Sequence, residues 1–449
     1  MKRKAVSIFL ASAMVLGLTG CAAQETATEN NSKKTESQEN TAASGLEGTD
    51  AAGNETADVI KIGVLVPLTG TQTQAGNEVR ALVKLFEDVI NNKVDINLPF
   101  HDVEGLPNLG GAKVEFVIGD LSTPDVAMAE AERLITEEKC IGFAGNFSSA
   151  STKTVMVPAE KYGAIVLSEG TSESLPKAGY KYYGRTWSGD GLFIEDSYKF
   201  FDYLNDTQNA GIENVALISE DSEFGTNIAK VEAEKAEEFG YKVVENISYN
   251  AAATNMTSEV LRLKKADADA VLMSSYIADG LLLMSTFKEQ GYFPKILMGQ
   301  RGAFTSSDFI SNLGADSDYA FTTSRWNLDL ENPLITQLNE LYKTEYSEGI
   351  DIIGDVFTSA WDAYVIAMLA NQAGSTDVDA MRAEMEKGLE IDSAQDPSGL
   401  PGYKYGSDGQ NEKTMSIVVQ MKDKAIHTVY PDNVKAMDAI YPAIGWSDR

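Results

Sequence analysis

Histidine and cysteine are the scarcest reactive residues of this sequence, with two of each among 449 residues. So few nitrogen and sulfur ligands leave little basis for a tetrahedral zinc site and none for a disulfide framework. Positive charge is also in short supply, because 37 lysines and arginines face 67 aspartates and glutamates, giving a formal net charge of −30. Such a field repels nucleic-acid phosphates, so a nucleic-acid-binding function is nearly excluded.

A long apolar run occurs only near the N-terminus. Three positive residues at positions 2–4 precede the apolar residues 5–18, a pattern typical of a secretory signal peptide and too short for a stable membrane anchor. The sequence LTGC at 18–21 resembles the bacterial lipoprotein processing box. This resemblance implies that residues 1–20 are removed and that Cys21 carries a lipid; the alternative is a free cysteine in a cleaved or membrane-spanning segment.

The segment that follows Cys21 is polar. Leu46 is the only large aliphatic residue between positions 22 and 58, so no core can form there, and residues 21–58 are predicted to be a disordered tether. No later run approaches the roughly 20 apolar residues of a transmembrane helix. We therefore predict an extracytoplasmic protein that is lipid-anchored to the bacterial cell membrane.

From residue 59 onward, short β-branched runs alternate with helical patterns. Strands are predicted at 59–66, 113–118, 141–144, 164–167, 215–219, 241–247, 270–274 and 295–298, and helices near 77–91, 125–138, 226–240, 255–265 and 279–291. This alternation is typical of parallel, doubly wound α/β sheets. About ten such units exceed one compact lobe, so we predict two. The residues between Asn91 and Lys113 are interpreted as a surface excursion.

Ligands of open α/β sheets bind beyond the carboxyl ends of the strands. In the first half, the segments that follow strands are rich in hydroxyl groups, which suit a carboxylate or amide; in the second half, they carry acids, aromatic rings and an arginine. The alternative for each single serine or threonine is capping of a helix N-terminus. The strand-end segments are 68–70, 146–149 and 169–172 in the first half, and 220–224, 275–276 and 300–302 in the second.

Several segments resemble the branched-chain amino-acid (leucine/isoleucine/valine) binding proteins, the extracytoplasmic solute-binding components of ABC importers. They are residues 60–70 (IKIGVLVPLTG), 141–152 (IGFAGNFSSAST), 184–186 (GRT), 220–225 (EDSEFG), 360–364 (AWDAY) and 373–377 (AGSTD). The resemblance covers about residues 59–432. It implies the type I periplasmic binding protein fold, a Venus-flytrap of two lobes, with a small-molecule ligand and an ABC permease and ATPase as partners.

The resemblance also implies a set of binding residues. Ser149 and Thr171 or Ser172, with backbone groups near Gly170, would bind the carboxylate-like end of the ligand. Ser148 belongs to the same hydroxyl-rich strand end. Phe224 and Tyr276 stand where the family has pocket aromatics.

Two positions depart from the leucine-type pattern. Arg301, with Gln300 beside it, stands where an acid holds the ligand's ammonium group, and Ala75 lies near a position that a ring usually fills. A guanidinium there would repel an ammonium group and favour an anionic or carbonyl group. The acids Glu169, Glu220, Asp221 and Glu223 could supply a negative partner, although we interpret each first as a solvated loop residue.

Catalytic signatures are few. The sequence has no Gly-x-Ser-x-Gly elbow, no His-Glu-x-x-His pair and no phosphate loop, and its Ser-x-x-Lys matches are expected by chance. Cys140 is interpreted as a structural thiol. We therefore predict a binding protein, not an enzyme, without cofactor or metal and monomeric. An alternative output of the same fold is a ligand sensor that feeds a receptor, and an alternative ligand is an organic acid other than an amino acid.

The two lobes are predicted to be discontinuous in sequence. Lobe one comprises residues 59–188 plus 325–395, and lobe two comprises residues 189–324 plus 396–449, which include the C-terminal tail. Three segments would cross between the lobes. Closure would occur around residues 185–190 and the two return crossings.

Overall fold

The computed structural model describes residues 58–70, 72–145 and 148–446. The first of its two sheets has five strands in the order β2-β1-β3-β4-β5, and all neighbouring strands are parallel. Valine, isoleucine and leucine make up most of β1 and all of β4, and the residues of β3 are all buried, as expected for a sheet covered on both faces. The strands are β1 (Val59–Val66), β2 (Lys113–Asp120), β3 (Gly142–Gly145), β4 (Ile165–Leu167) and β5 (Tyr183–Gly184).

The helices around this sheet come from two distant parts of the chain. Helix α10 (Gly354–Ala373) packs against the strands β1, β3 and β4 and against helix α1 (Thr73–Asn91). Every residue of α10 from Asp355 to Ala370 is buried. We call this sheet with its helices the first lobe. Its helices are α1 (Thr73–Asn91), α2 (Pro124–Thr136), α3 (Ser149–Tyr162), α9 (Pro333–Glu345), α10 (Gly354–Ala373) and α11 (Val378–Lys387).

The second sheet has seven strands in the order β12-β11-β10-β9-β8-β6-β7. Five strands are parallel, whereas β11 pairs antiparallel with β10 and with β12, so this sheet is mixed. A tight turn through Asp423 and Lys424, both with positive φ, joins β11 to β12. The strands are β6 (Asn214–Glu220), β7 (Lys242–Tyr249), β8 (Ala270–Ser274), β9 (Ile296–Gly299), β10 (Ala320–Ser324), β11 (Ile417–Lys422) and β12 (Ala425–Tyr430).

The helices that flank the second sheet alternate with its strands in sequence, beginning with a helix that precedes the first strand. Together with the sheet they form the second lobe, and the two-lobed α/β fold predicted from the sequence is confirmed. The helices are α4 (Asp190–Gln208), α5 (Glu223–Phe239), α6 (Thr257–Ala266), α7 (Ile277–Glu289) and α8 (Ser307–Leu313).

The segments that cross between the lobes are bonded to one another. The Arg185 amide donates to the Gly409 carbonyl at 2.8 Å, and the Asn411 amide donates to the Arg185 carbonyl at 2.9 Å. The Ser188 hydroxyl donates to the Met415 carbonyl at 2.6 Å. The first and last crossings therefore run side by side as a short hydrogen-bonded ribbon.

The segment between Asn91 and Lys113 is only in part the surface excursion that the sequence suggests. Most of its residues are exposed or half-buried, but Leu98 and Leu106 are buried in the core of the first lobe. Tyr403 and Tyr405 are buried in the same cluster, which also contains Ile417 and Val419 of the second sheet, so the predicted lobe boundaries stay predictions.

The predicted signal peptide, Cys21 and nearly all of the tether lie outside the described residues. Within the described part of the chain, no helix has both the length and the apolar character needed to cross a membrane.

Candidate functional site

A cavity lies between the two lobes, at the carboxyl ends of the strands of both sheets. It contains about 660 Å³ of space free of protein atoms, counting its open mouth. The first lobe contributes Gln72, Ala75, Glu169, Thr171, Ile353, Asp355 and Val356, and the second contributes Phe224, Tyr276, Ile277, Arg301, Gly302, Thr305 and Ser306.

Four of the nine predicted binding residues line this cavity: Thr171, Phe224, Tyr276 and Arg301. The rings of Phe224 and Tyr276 lie 5.2 Å apart at 35°. Phe224 is in the first turn of α5, and Tyr276 directly precedes α7. With Ile277 beside them, these rings form an apolar wall that suits the hydrocarbon part of a ligand.

In the hydroxyl-rich loops of the first lobe, most serine hydroxyl groups form hydrogen bonds within the loops themselves. The Ser148 side chain accepts from the Ser151 amide and caps α3, as the capping interpretation predicts. Ser149 accepts from the Ser172 amide at 3.3 Å, and the Ser172 and Ser174 hydroxyls are 2.9 Å apart. The Gly170 amide donates to a neighbouring serine hydroxyl. Ligand contact by these residues stays a prediction, since none of them is among the residues that line the cavity.

Gln300 points away from the cavity into the second lobe. Its side-chain amide donates to the Ser197 hydroxyl at 3.3 Å, and both residues are buried. The carboxyl group of Glu232 lies beside it. Burial raises the pKa of Glu232 well above its ordinary value, although Gln300 opposes the shift. Gln300 therefore belongs to a buried polar group behind the site.

We expect Glu232→Gln to raise the free energy of unfolding at pH 7 by roughly 1–3 kcal/mol, because folding of the wild type at this pH requires Glu232 to take up a proton and a rise of one unit in pKa costs about 1.4 kcal/mol. A carboxyl whose folded pKa is raised loses stability as pH rises above its unfolded pKa, because only the unfolded chain then releases the proton. Glutamine does not titrate, so the gain should grow from pH 5 to pH 8. Urea unfolding at several pH values would measure it. Glu237→Gln, an exposed position on α5, is the control; an equal effect of both substitutions at every pH would contradict the prediction.

Arg301 forms a buried ion pair with Asp355, the second residue of α10. The Thr305 hydroxyl donates to the same carboxylate, and the Arg301 guanidinium carbon lies 4.8 Å from the centroid of the Phe193 ring. The expected repulsion of an ammonium group is thus offset, because Asp355 balances the charge of Arg301. The backbone of Arg301 has φ 61° and ψ −135°, a sparsely populated conformation that occurs preferentially at functional sites.

Glu169 forms a second buried ion pair, with Arg325. The Arg325 guanidinium also donates to the Glu169 carbonyl at 2.8 Å, and the Thr358 hydroxyl donates to Oε2 of Glu169 at 2.9 Å. Burial raises the pKa of the Glu169 carboxyl, while the positive charge of Arg325 opposes the shift. The interpretation of Glu169 as a solvated loop residue is wrong, since only 3% of its surface is exposed. Glu220 is likewise buried.

Sequence reasoning missed the residues that α10 brings to the cavity. Ile353, Asp355 and Val356 follow a loop and not a strand, so a search of strand ends passes over them. The sequence did contain an indication of this helix. Gly354 and Asp355 begin a segment rich in apolar residues, and acidic residues favour a helix N-terminus.

The lobes also contact each other beside the cavity. The Ser307 hydroxyl of α8 donates to Oε1 of Glu78 in α1 at 2.8 Å. Glu223 of α5 accepts from the Ser174 hydroxyl at 2.9 Å and lies 3.3 Å from Nζ of Lys153. Two different helices of the second lobe, α5 and α8, therefore contact the first lobe.

Comparison with known proteins gives concordant matches. A family model described as "Periplasmic binding protein" matches residues 59–425. The Leu/Ile/Val-binding protein homolog 7 of Brucella melitensis is 28% identical over 398 residues, which cover 83% of this chain and 92% of that protein.

Solved structures with the same fold include the leucine-binding protein LivK of Thermotoga maritima, with a TM-score of 0.68 and 18% identity over 84% of this chain and 100% of that one. A solute-binding protein of an ABC transporter from Rhodopseudomonas palustris, in complex with 3,4-dihydroxybenzoic acid, has a TM-score of 0.66 and 18% identity over 86% of this chain and 99% of that one.

Proposed function

This chain belongs to the periplasmic binding protein family, and we propose that it is the substrate-binding component of an ABC importer. It captures a small polar solute, an amino acid or an amino-acid-like or amide-like carboxylate, in the cleft between its lobes. It then delivers the solute to a membrane permease and its ATPase. Lipid attachment at Cys21 after removal of residues 1–20 holds the protein, as a monomer, at the outer side of the cell membrane.

The observation that carries this proposal is the composition of the interlobe cavity. Its lining combines the apolar surface of Phe224, Tyr276 and Ile277 with the charged groups of Glu169 and Arg301. A ligand that has both charged groups and a hydrocarbon part matches this combination. The names of the Brucella relative and of LivK point to the same ligand class.

The mechanism follows from the placement of the cavity between two lobes. One lobe comprises residues 59–188 and the returning segment around α10. The other comprises residues 189–324 with β11 and β12. Closure bends the crossings near residues 185–190. A ligand that touches both lobes favours the closed state, and a preference of a few kcal/mol is sufficient to shift the population. The permease then recognises the closed form.

A ligand panel tests the proposal on the soluble part of the protein. We expect at least one compound among the twenty amino acids, their amides and small carboxylic acids to raise the melting temperature by several degrees and to change the intrinsic fluorescence. A 100-fold excess of ligand over Kd stabilises the folded state by about 2.7 kcal/mol. If no compound in these classes shifts either signal, the proposal fails. Binding of aromatic acids alone would favour the organic-acid alternative, for which the dihydroxybenzoate complex is a precedent on this fold.

A matched pair of variants shows whether binding occurs in the cavity. Ala75 lies in α1 and lines the cavity, so Ala75→Phe should abolish the response by occupying ligand space. Asn77 lies on the same helix but is exposed and is not among the cavity-lining residues. Asn77→Phe should retain the full response. Equal retention by both variants would place the binding site elsewhere.

A further inference from the structure

We propose that the ligand is a zwitterion bound with its charges reversed relative to the family pattern, so that its anionic group contacts Arg301 of the second lobe and its ammonium group contacts Glu169 of the first. This inference rests on the proposed function and specifies its ligand class and orientation.

Unused hydrogen-bonding capacity supports this orientation. Among the described residues that line the cavity, two buried side-chain atoms have no hydrogen-bond partner: Nη1 of Arg301 and Oε1 of Glu169. Another atom of each side chain is occupied, since Nη2 of Arg301 contacts Asp355 and Oε2 of Glu169 contacts Arg325. Each residue therefore retains one charged atom that no protein group satisfies. A buried charged atom without a partner is costly, so a ligand group of opposite charge is favoured at each.

The distribution of charge supports a neutral ligand. Arg301 and Arg325 carry two positive charges, and Asp355 and Glu169 balance them with two negative charges. The Asp362 carboxyl also lies near Glu169 and Arg325, but burial raises its pKa well above the ordinary value, which favours its neutral form. A zwitterion leaves this buried group neutral, whereas a simple carboxylate adds one uncompensated negative charge and a simple amine adds one positive charge. Burial of an uncompensated charge is strongly unfavourable. The site should therefore discriminate against ligands that carry only one of the two charges.

The hydroxyl donor that the first lobe brings to the cavity is already engaged. Thr171 lines the cavity, and its side chain is hydrogen-bonded to the Asp190 carboxyl group. Ser149 and Ser172 are not among the lining residues. The first lobe presents two carboxylates to the cavity, and because Asp355 is paired with Arg301, Glu169 is the one available to attract an ammonium group and repel a carboxylate.

The test uses matched series of compounds, each comprising an amino acid, its amide and its des-amino acid. Suitable series are leucine, leucinamide and 4-methylpentanoate, and phenylalanine, phenylalaninamide and 3-phenylpropanoate, with further series built on whichever amino acid responds in the panel. Calorimetric titration of the wild-type protein should show the zwitterion binding at least about 10-fold tighter than both analogues, the lower range for loss of one charged hydrogen bond. Equal or tighter binding of a des-amino acid would overturn the inference.

Two variants test the orientation. Arg301→Gln should weaken the amino acid and the des-amino acid by at least about 10-fold while sparing the amide, and Glu169→Gln should weaken the amino acid and the amide while sparing the des-amino acid. The opposite pattern, or no change in either variant, would overturn the inference. Melting curves check that each variant folds. Glu169→Asp, which keeps the charge but shortens the side chain, replaces Glu169→Gln if the latter is unfolded, with the same expected pattern.

The inference and the proposed function fail in different ways. If the protein binds only compounds that carry a single charge, the inference is wrong and the binding function stands. If no compound of the panel binds, the proposed function itself fails.

Discussion

Arg325→Ala should lower the free energy of unfolding by roughly 3–5 kcal/mol, the usual cost of removing one partner from a buried ion pair. Arg325 has 0% exposure, and its loss leaves the Glu169 carboxylate without a counter-charge. It also removes the hydrogen bonds to the Glu169 and Ser188 carbonyls. Urea unfolding followed by circular dichroism measures the change.

The loss should depend on pH. Arg325 lowers the pKa of Glu169 against the effect of burial, so the substitution raises that pKa further. A carboxyl with a raised folded pKa loses stability as pH rises above its unfolded value. Burial raises the pKa of Glu169 to about 7 in the wild type, so the difference between wild type and Arg325→Ala should widen as pH rises through about 7.

Arg133→Ala is the matched control for this substitution. Arg133 pairs with Glu130 at 3.0 Å and with Glu138 at 3.2 Å on the partly exposed surface of the first lobe. Such pairs contribute about 0–1 kcal/mol. The double substitution Glu169→Gln with Arg325→Met should recover much of the loss, because no charge remains buried without a partner. A loss in Arg325→Ala no larger than that in Arg133→Ala would show that the buried pair does not stabilise the fold.

Phe357→Ala should destabilise the protein by roughly 3–5 kcal/mol, the range for truncation of a large buried aromatic. Phe357 stacks on Trp326 with centroids 4.3 Å apart and on Trp361 at 5.7 Å, and it meets Trp187 edge-on at 6.1 Å. Trp187 and Trp326 lie in two of the crossing segments, and Trp361 lies in α10. The phenyl ring of Phe357 therefore contacts the tryptophans of both crossing segments as well as Trp361.

The same substitution should change the intrinsic fluorescence. Trp187, Trp326 and Trp361 are each at most 1% exposed, and a space in place of the ring admits water or motion next to all three. Emission spectra and urea unfolding measure both effects. Phe357→Leu fills most of the space and should cost less than half as much. If the alanine and leucine variants have equal stability, the aromatic stack does not hold the hinge together.

Much of the fold could be predicted because it depends on local pattern. The strands Val59–Val66 and Ala270–Ser274 lie at their predicted positions, since continuous runs of apolar residues mark a strand buried on both faces. The antiparallel pairing of β11 was not predicted, because its composition does not specify the direction of its neighbour. Burial of Leu98 and Leu106 likewise depends on packing against distant helices, which a loop-like composition conceals.

The candidate site could be predicted only in part for the same reason. Phe224, Tyr276 and Arg301 follow strands directly, so the strand-end rule identifies them. Asp355 is 54 positions from Arg301 in sequence, and only the tertiary fold brings the two charges together. Ser149 and Ser172 illustrate the opposite difficulty, since a hydroxyl that binds its own backbone has the same sequence pattern as one that binds a ligand.

The ribbon formed by the first and last crossings limits how the two lobes can move. Hydrogen bonds between Arg185 and residues 409 and 411 would have to break if one crossing slid along the other. Twisting of the ribbon preserves those bonds, because paired strands tolerate a wide range of twist. We therefore expect closure to bend or twist the ribbon and not to shear it. Twisting would open one edge of the cleft further than the other.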